Sequence, residues 1–440
     1  MSLCRIVEPC DWVDPLSVLC GLSTYDGVAG LLAGAGDVKA HGGRWSYIGC
    51  DPDRVQVWPL SDDLFSHLKE EAWQAVPTIG VVSYDAGARE ATGLRSAIWP
   101  DLILARYPAL LVFDHNDRSL VALGVGRTEP EARAQALRAR GWLASARAPQ
   151  YPSAPAASLT ETLSPAAYAQ AVAEVVKKIG EGELFQANIA RGWSGYLAPE
   201  RHPFDVFLRL SHVRGAAYGA FARWGDRAIV SNSPELFLNA DAAKGRIETR
   251  PIKGTRPRGT DVQSDALLAR ELETSIKDQA ENLMIVDLMR NDLARVSQPG
   301  SVTVQALCAL EAHPTVYHLT STVSAKLRSD VDLADVLAAT FPPGSITGAP
   351  KHQAMKRIAA LEPPRGVWCG SLFGAHLQSE GDLVASVLIR TASFQKSGEV
   401  WSWQALAGAG ITADSDPLEE AAETEAKFSA LRMALSNPDS

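Results

Sequence analysis

Short apolar runs of strand length, separated by turn-forming residues, are the pattern that most constrains the fold of this chain. The runs are four to nine residues long, and Gly, Pro and Asp interrupt them at close intervals, which is typical of strands in antiparallel sheets. We predict such strands in the first third of the chain at 44–48, 78–84, 109–114 and 120–125. We predict further strands at 185–191, 217–222, 228–231, 235–238, 317–325, 384–391 and 400–406.

Helical periodicity appears between these strands. Ser164 followed by Pro165 is a strong start signal, because serine caps the first turn and proline suits the first helical position. In one long segment, 264–289, Leu267, Leu272 and Ile276 recur at helical spacing and predict a buried stripe. The predicted helices are 129–147, 164–180, 264–289, 333–339, 351–361 and 417–435.

A Pro-, Ala- and Ser-rich segment at 148–162 divides the chain into an N-terminal region, 1–147, and a second region, 163–436. A linker between domains has this composition, and so has a long surface crossing within one fold. The length of 440 residues is that of two or three domains, so both interpretations stay open at this point.

Composition excludes several classes of function. The net charge of −9 argues against general nucleic-acid binding, which requires a basic face. The sequence has neither an apolar run of membrane-span length nor a signal-peptide pattern near its start. Its six cysteines are scattered without a C-x-x-C pair, which favours a reducing compartment. We therefore expect a cytoplasmic protein that binds neither nucleic acid nor membrane.

The basic segment TRPIKGTRPR, at 249–258, stands out against this acidic background. Pro251 and Pro257 restrict the backbone on both sides of Lys253, so we predict a fixed loop that follows a strand at 245–249. The loop is either a solvated basic turn or a device that presents one amine at a defined place. Composition alone favours the solvated turn.

Two pairs of carboxylates occur at helical spacing: Asp278 with Glu281, and Glu420 with Glu423. Residues three apart share a helix face, and carboxylates from two facing helices would form a site for a hard cation such as Mg²⁺. The same spacing is common on solvated helix faces, and spacing alone favours that simpler interpretation. A glycine-containing loop at 344–350, just before a predicted helix, is a candidate anion site.

Eight short segments complete the pattern: SPELF (233–237), PIKGT (251–255), AENLMIVDLMRND (280–292), VYHLTSTV (316–323), GSITGAPK (344–351), WCGS (368–371), IRT (389–391) and GAGITADS (408–415). In these segments the chain resembles the chorismate-utilising enzymes, a family that includes anthranilate, aminodeoxychorismate, isochorismate and salicylate synthases. The resemblance implies an α+β fold, an intertwined two-subdomain sandwich of antiparallel sheets with outer helices. In such a fold, 148–162 would be a surface crossing.

Two positions indicate a branch of the family. PIKGT resembles the aminodeoxychorismate synthase branch, whereas anthranilate synthases usually carry alanine where Lys253 stands. The water-adding members resemble one another in a general-base lysine where this chain has Gln186, and a neutral amide cannot act as that base. The resemblance therefore implies a reaction with ammonia.

The resemblance also implies roles for residues of the second region. Lys253 would be a nucleophile, Glu235 a general acid, and His318 a histidine near the leaving hydroxyl. Arg390 resembles the arginine that binds the enolpyruvyl carboxylate of chorismate, a pairing that suits a guanidinium fork. Glu281 and Glu423 would bind Mg²⁺, with Asp278 and Glu420 lining the same site. Other substrate contacts are implied at Gly254, Thr255, Thr347, Gly348 and a glycine turn formed by Gly408, Ala409 and Gly410.

The nucleophilic role requires a neutral amine at Lys253. We expect burial and the charges of Arg250 and Arg256 to lower its pKa.

The implied activity is the amination of chorismate in 4-aminobenzoate and folate biosynthesis, with ammonia from a separate glutamine amidotransferase subunit. Two alternatives stay open: an anthranilate synthase component I, and a non-catalytic chorismate-binding subunit.

Overall fold

The computed structural model describes residues 3–34, 43–61, 63–96, 99–213, 215–241 and 244–436. In this part of the chain the strands form two sheets, and every pairing of neighbouring strands is antiparallel. Helices lie on the outer faces of both sheets. The predicted α+β sandwich with outer helices is confirmed.

The first sheet has twelve strands among the described residues. Their order across the sheet is β1 (Cys4–Cys10), β8 (Ser119–Gly126), β7 (Ala109–Asp114), β3 (Trp45–Gly49), β2 (Ala29–Leu32), β11 (Tyr218–Trp224), β12 (Arg227–Ser233), β21 (Thr391–Ser397), β22 (Val400–Ile411), β10 (Gln186–Tyr196) and β18 (Gly348–Ala349), with β9 (Thr160–Glu161) also pairing with β10.

The second sheet has ten strands in the same described part. Their order is β15 (Ile252–Pro257), β17 (Val316–Lys326), β14 (Arg246–Arg250), β13 (Leu236–Asp241), β20 (Leu383–Val387), β19 (Ser371–Ala375), β5 (Thr78–Val82), β6 (Leu102–Arg106) and β4 (Arg54–Trp58), with β16 (Thr303–Ala312) pairing with β17. Strands from the N-terminal region lie in both sheets.

The helices are α1 (Pro15–Leu22), α2 (Tyr84–Thr92), α3 (Glu129–Gly141), α4 (Pro165–Gly180), α5 (Pro203–Val213), α6 (Val262–Thr274), α7 (Ile276–Ala294), α8 (Leu333–Thr340), α9 (Lys351–Leu361) and α10 (Pro417–Leu435). One core cluster contains side chains of both sheets, among them Tyr47, Ile103 and Ala220, and fills the space between them. Two other clusters lie beneath the outer helices. Within one of these, Phe428 of α10 stacks on Trp193 of β10 at 4.0 Å between ring centroids.

Helix starts follow the local capping signals. Ser164 accepts a hydrogen bond from the N–H of Ala167, and α4 begins at Pro165 as predicted. Asp416 caps α10 in the same way, and this helix has the predicted bounds. No helix in the described part of the chain is long and apolar enough to cross a bilayer.

The predicted single helix at 264–289 is wrong. Ser275 has an extended backbone, and its side chain accepts a hydrogen bond from the N–H of Asp278, so it caps a second helix and separates α6 from α7. Because the helix is interrupted at Ser275, the apolar residues of 264–289 do not form the single buried stripe that was predicted. Leu272 is buried, whereas Leu267 and Ile276 are exposed.

Three further predictions, of a loop, a turn and a strand, need correction. Lys253 lies on strand β15 and not in a loop, because Ile252 and the residues from Thr255 pair with β17 around a bulge. Gly408, Ala409 and Gly410 lie within β22, paired with β10, and do not form a turn. The strand predicted at 384–391 ends at Val387, and the chain then crosses to the other sheet.

Candidate active site

Lys253 extends from the edge strand of the second sheet toward the first. At the bulge, the next residue has φ +87, and a Cβ there would lie 2.8 Å from Leu272 Cδ1, so only glycine fits at 254. The Lys253 Nζ atom lies 3.1 Å from the position that a Cβ would occupy on Gly410 of β22. The amine therefore stands in the space between the two sheets.

Desolvation lowers the pKa of Lys253. The nearby ammonium of Lys427 lowers it further, whereas the carboxylates of Glu281, Glu235 and Glu423 act in the opposite direction. Their combined effect leaves the pKa below its ordinary value. A lysine with a lowered pKa has a larger neutral, nucleophilic fraction near neutral pH.

The arginines that flank Lys253 in sequence do not lower its pKa as we expected. Arg250 forms an ion pair with Glu311. Arg256 pairs with Glu271 at 2.7 Å and with Asp278 at 3.1 Å. The positive neighbour of Lys253 is instead Lys427 on α10, far away in the sequence.

Glu235 is a buried carboxylic acid in the segment between β12 and β13, only 4% exposed. Burial raises its pKa to about 7, although a hydrogen bond from Ser345 and the charges of Lys253 and Arg390 oppose the rise. An acid with this pKa is substantially protonated at neutral pH and can donate its proton. The proton donor Glu235 and the amine of Lys253 are therefore close enough for each to influence the pKa of the other.

Arg390 lies where the chain passes from β20 in the second sheet to β21 in the first. Its φ of +50 is in the left-handed region, which is uncommon for a residue with a side chain. Its carbonyl accepts a hydrogen bond from the N–H of Asn232 at 3.1 Å, which holds this conformation. The arginine is close enough to Glu235 to influence its pKa.

Two pairs of predicted contact residues support neighbouring strands. Thr255 Oγ1 and His318 Nδ1 are 2.9 Å apart across β15 and β17, and His318 is buried. The hydroxyl of Thr347 donates to the carbonyl of Pro343, and its own carbonyl accepts from the N–H of Asn188. Gly348 then pairs with β10. These contacts hold the backbone around the site.

The four predicted metal-site carboxylates influence one another electrostatically. Burial raises the pKa of Glu281, and the neighbouring carboxylates Asp278 and Glu420 raise it further. Burial also raises the pKa of Glu420, with a contribution from Glu423. Lys277 of α7 lies 3.5 Å from Glu420 of α10, so the two helix faces meet, which spacing alone could not establish.

Three of these carboxylates have protein partners. Asp278 binds Arg256, Glu420 accepts from Ser415 at 2.7 Å, and Glu423 lies 2.6 Å from Lys427. No group of three or more ligand side chains is arranged to hold a metal in the described ranges. Because Mg²⁺ commonly uses one or two carboxylates together with water and ligand oxygens, Glu281 and Glu423 still fit such a site.

A buried ion pair holds the backbone next to the site in place. Glu362 and Arg365 are 2.8 Å apart and almost fully buried. The carboxylate of Glu362 accepts from the N–H of Ala190 in β10. The guanidinium of Arg365 donates to the carbonyls of Asn188 and Ile346. The pair therefore ties β10 to the loop that carries Ser345 and Thr347.

We expect Arg365→Met to lower the free energy of unfolding by about 3–5 kcal/mol, because it leaves the Glu362 carboxylate buried without its counter-ion. Arg357→Met is the matched control, since its pair with Glu183 is partly exposed and should contribute at most about 1 kcal/mol. Urea unfolding of both variants measures the difference. Equal losses in the two variants would contradict this role.

The sequence analysis missed two residues of the site. Lys427 lies four residues after Glu423 on α10, a spacing that could have identified it as a partner. Its Nζ also donates to the carbonyl of Gly408. Ser345 had no distinguishing local signal, because its contact with Glu235 is entirely tertiary.

A separate cavity of about 280 Å³ lies between the sheets near Tyr47, Tyr218 and Asn239. The residues that line it do not include Lys253, Glu235 or Glu281. We place the candidate active site around Lys253, because the chemically complementary groups converge there.

The fold and these motifs have a counterpart among known proteins. The sequence profile of the family described as chorismate binding enzyme matches residues 34–433. The chain belongs to this family, as the motifs predicted. It is 38% identical over 365 residues to aminodeoxychorismate synthase component 1 of Salmonella typhimurium, a match that covers 82% of this chain and 76% of that protein.

Two other relatives mark the breadth of the family. Anthranilate synthase component 1 of Aeropyrum pernix is 35% identical over 372 residues, covering 82% of this chain and 78% of that protein. The crystal structure of anthranilate synthase component I from Streptococcus pneumoniae TIGR4 superimposes with a TM-score of 0.75 at 26% identity. It covers 88% of this chain and 92% of that chain.

Proposed function

We propose that this protein converts chorismate and ammonia to 4-amino-4-deoxychorismate. The observation that carries the proposal is the pairing of Lys253, whose pKa is lowered, with Glu235, whose pKa is raised to about 7. The relative from Salmonella typhimurium, named aminodeoxychorismate synthase component 1, supports the same assignment. Anthranilate synthase component 1 remains the alternative, because a relative of that name is 35% identical.

In the proposed reaction, the neutral amine of Lys253 attacks C2 of chorismate while both ring double bonds shift by one position and the 4-hydroxyl departs. Glu235 gives that hydroxyl its proton, so water leaves. Ammonia then forms a bond to C4, both double bonds shift back, and the C2–N bond breaks with its electron pair returning to Lys253. The enolpyruvyl group stays in place. Covalent catalysis of this kind replaces one difficult step by two easier ones.

Charged groups would position the substrate. Arg390 can bind the enolpyruvyl carboxylate through two parallel hydrogen bonds. Glu281 and Glu423 would hold Mg²⁺, with Asp278 and Glu420 beside them. The bound ion would supply positive charge for the ring carboxylate of chorismate. Lys427 lies beside Glu423 and adds a second cation at this end of the site.

The ammonia would come from a separate glutamine amidotransferase subunit in the cytoplasm, with free ammonium as a substitute in solution. The product would serve 4-aminobenzoate and folate synthesis, since loss of its enolpyruvyl group as pyruvate gives 4-aminobenzoate. This assignment accounts for a site that combines a nucleophile and an acid.

Incubation with chorismate, ammonium and Mg²⁺ should yield 4-amino-4-deoxychorismate without release of pyruvate, measured by chromatography with mass detection. EDTA should abolish turnover, and added Mg²⁺ should restore it. Anthranilate with equimolar pyruvate would identify the alternative enzyme. Chorismate binding without any turnover would favour a non-catalytic subunit.

A further inference from the structure

One face of the first sheet, next to the Lys253 amine, consists of two amide side chains and two glycines. We call Gln186 and Asn188 of β10, with Gly408 and Gly410 of β22, the amide face. A Cβ on Gly410 would lie 2.2 Å from Gln186 Nε2 and 3.1 Å from Lys253 Nζ. A Cβ on Gly408 would lie 2.5 Å from Asn188 Oδ1. The two glycines leave room for these side chains and the lysine amine.

The amide oxygens of this face have no hydrogen-bond partner. Gln186 is 1% exposed and Asn188 is 7% exposed, yet Gln186 Oε1 and Asn188 Oδ1 accept no hydrogen bond from any residue of the described ranges. A buried acceptor without a donor destabilises the folded protein, and native structures rarely keep one without a reason. Two such oxygens on one strand face, beside a reactive amine, indicate a ligand that donates hydrogen bonds.

The backbone of this face is held independently of any ligand. Arg365 donates to the carbonyl of Asn188, and the N–H of Asn188 donates to the carbonyl of Thr347. Lys427 donates to the carbonyl of Gly408. The side chain of Asn188 is therefore not needed to keep β10 in place, and its oxygen is available for binding.

We propose that the amide face is the binding site for the ammonia that reacts at C4, with Asn188 as its principal acceptor. Ammonia is small and carries several N–H donors, whereas chorismate carries a single donor, the 4-hydroxyl, which leaves before ammonia reacts. Held there, its nitrogen lies on the side of the Lys253 amine. The inference rests on the proposed function.

The bound ammonia uses its lone pair to form the C4–N bond. Both ring double bonds move back, and the C2–N bond to Lys253 breaks with its electron pair returning to the lysine nitrogen. The ammonium group formed at C4 then loses one proton to solvent. Hydrogen bonds to Asn188 orient the ammonia. They do not change which bonds form and break or where the proton goes.

The test compares Asn188→Leu, which has a similar shape and no acceptor, with the parent. We expect the KM for ammonium to rise about tenfold or more, as for loss of one good hydrogen bond, and the KM for chorismate to change less than about twofold. At low ammonium, intact mass spectrometry should show more Lys253 adduct (chorismate minus water) in the variant. Its melting temperature should not fall, because the Asn188 side-chain oxygen has no partner to lose.

Ser194→Ala is the control, because it lies on the same strand about 20 Å further along and should leave both KM values unchanged. An unchanged KM for ammonium in Asn188→Leu would overturn the ammonia site. Equal rises in both KM values would assign Asn188 to chorismate and also overturn it. If the parent forms neither product nor adduct, the proposed function itself fails, which is a separate outcome.

Discussion

Lys253→Ala should lose at least about three orders of magnitude in the rate of 4-amino-4-deoxychorismate formation, because it removes the proposed covalent nucleophile. The loss should appear in kcat at saturating chorismate and ammonium, measured by product chromatography. The Nζ atom of Lys253 lies next to Gly410 of β22. Lys427 is held by Glu423 and the carbonyl of Gly408, and Lys277 lies 3.5 Å from Glu420.

The adduct provides a direct readout of this role. Parent protein mixed with chorismate without ammonium should gain the mass of chorismate minus water, and peptide mapping should place it on Lys253. Lys244→Ala is the control, because that exposed lysine pairs with Asp241 and should keep full activity. Parental turnover in Lys253→Ala would remove lysine from the essential chemistry.

Glu235→Gln should lower kcat by about 10²–10⁴, because a glutamine cannot give a proton to the departing hydroxyl. The parent requires the protonated form of Glu235, whose pKa is about 7, so its activity should fall as pH rises above that value. The variant should lack this alkaline limb. Chorismate binding, measured by equilibrium dialysis, should be retained. If the activity of the variant falls at high pH as in the parent, the ionisation belongs to a group other than Glu235.

Unfolding gives an independent check on the same pKa. The folded protein holds the Glu235 proton up to about pH 7, whereas the unfolded chain releases it near 4.5, so the parent loses stability as pH rises between these values. Glutamine has no such proton. Relative to the parent, Glu235→Gln should therefore become more stable from pH 4.5 to 7. A constant difference between the two proteins would show that the pKa is not raised.

The elements that the sequence predicted well are those governed by neighbours a few residues away. The bounds of α10 match the prediction because the Asp416 cap and Pro417 act on the first turn. The same reasoning failed at Ser275, where a second capping signal lay inside an apolar pattern that appeared continuous. It also failed at Lys253, because two prolines beside a lysine do not reveal that β17 is available to pair with that segment.

The candidate site was predictable in its residue types through the family motifs, and much less so in its geometry. The carboxylate spacings could not show that α7 and α10 meet, and their contact depends on packing between distant segments. Arg250 and Arg256 are not among the groups that shift the pKa of Lys253, and their guanidinium groups pair with Glu311, Glu271 and Asp278 instead. Pairing of surface charges is decided by tertiary neighbours and not by sequence distance.

The sequence by itself determined the class of fold, the family and the starts of the best-capped helices, because periodicity, capping and motifs are local properties. Only the tertiary structure decided the chemical state of the site. The pKa of Lys253 depends on desolvation and on the charge of Lys427, and that of Glu235 depends on burial and on a hydrogen bond from Ser345. Both partners lie far from these residues in the sequence. Burial of an ionisable group is a property of the packed sheets, so no local pattern around Lys253 could have specified it.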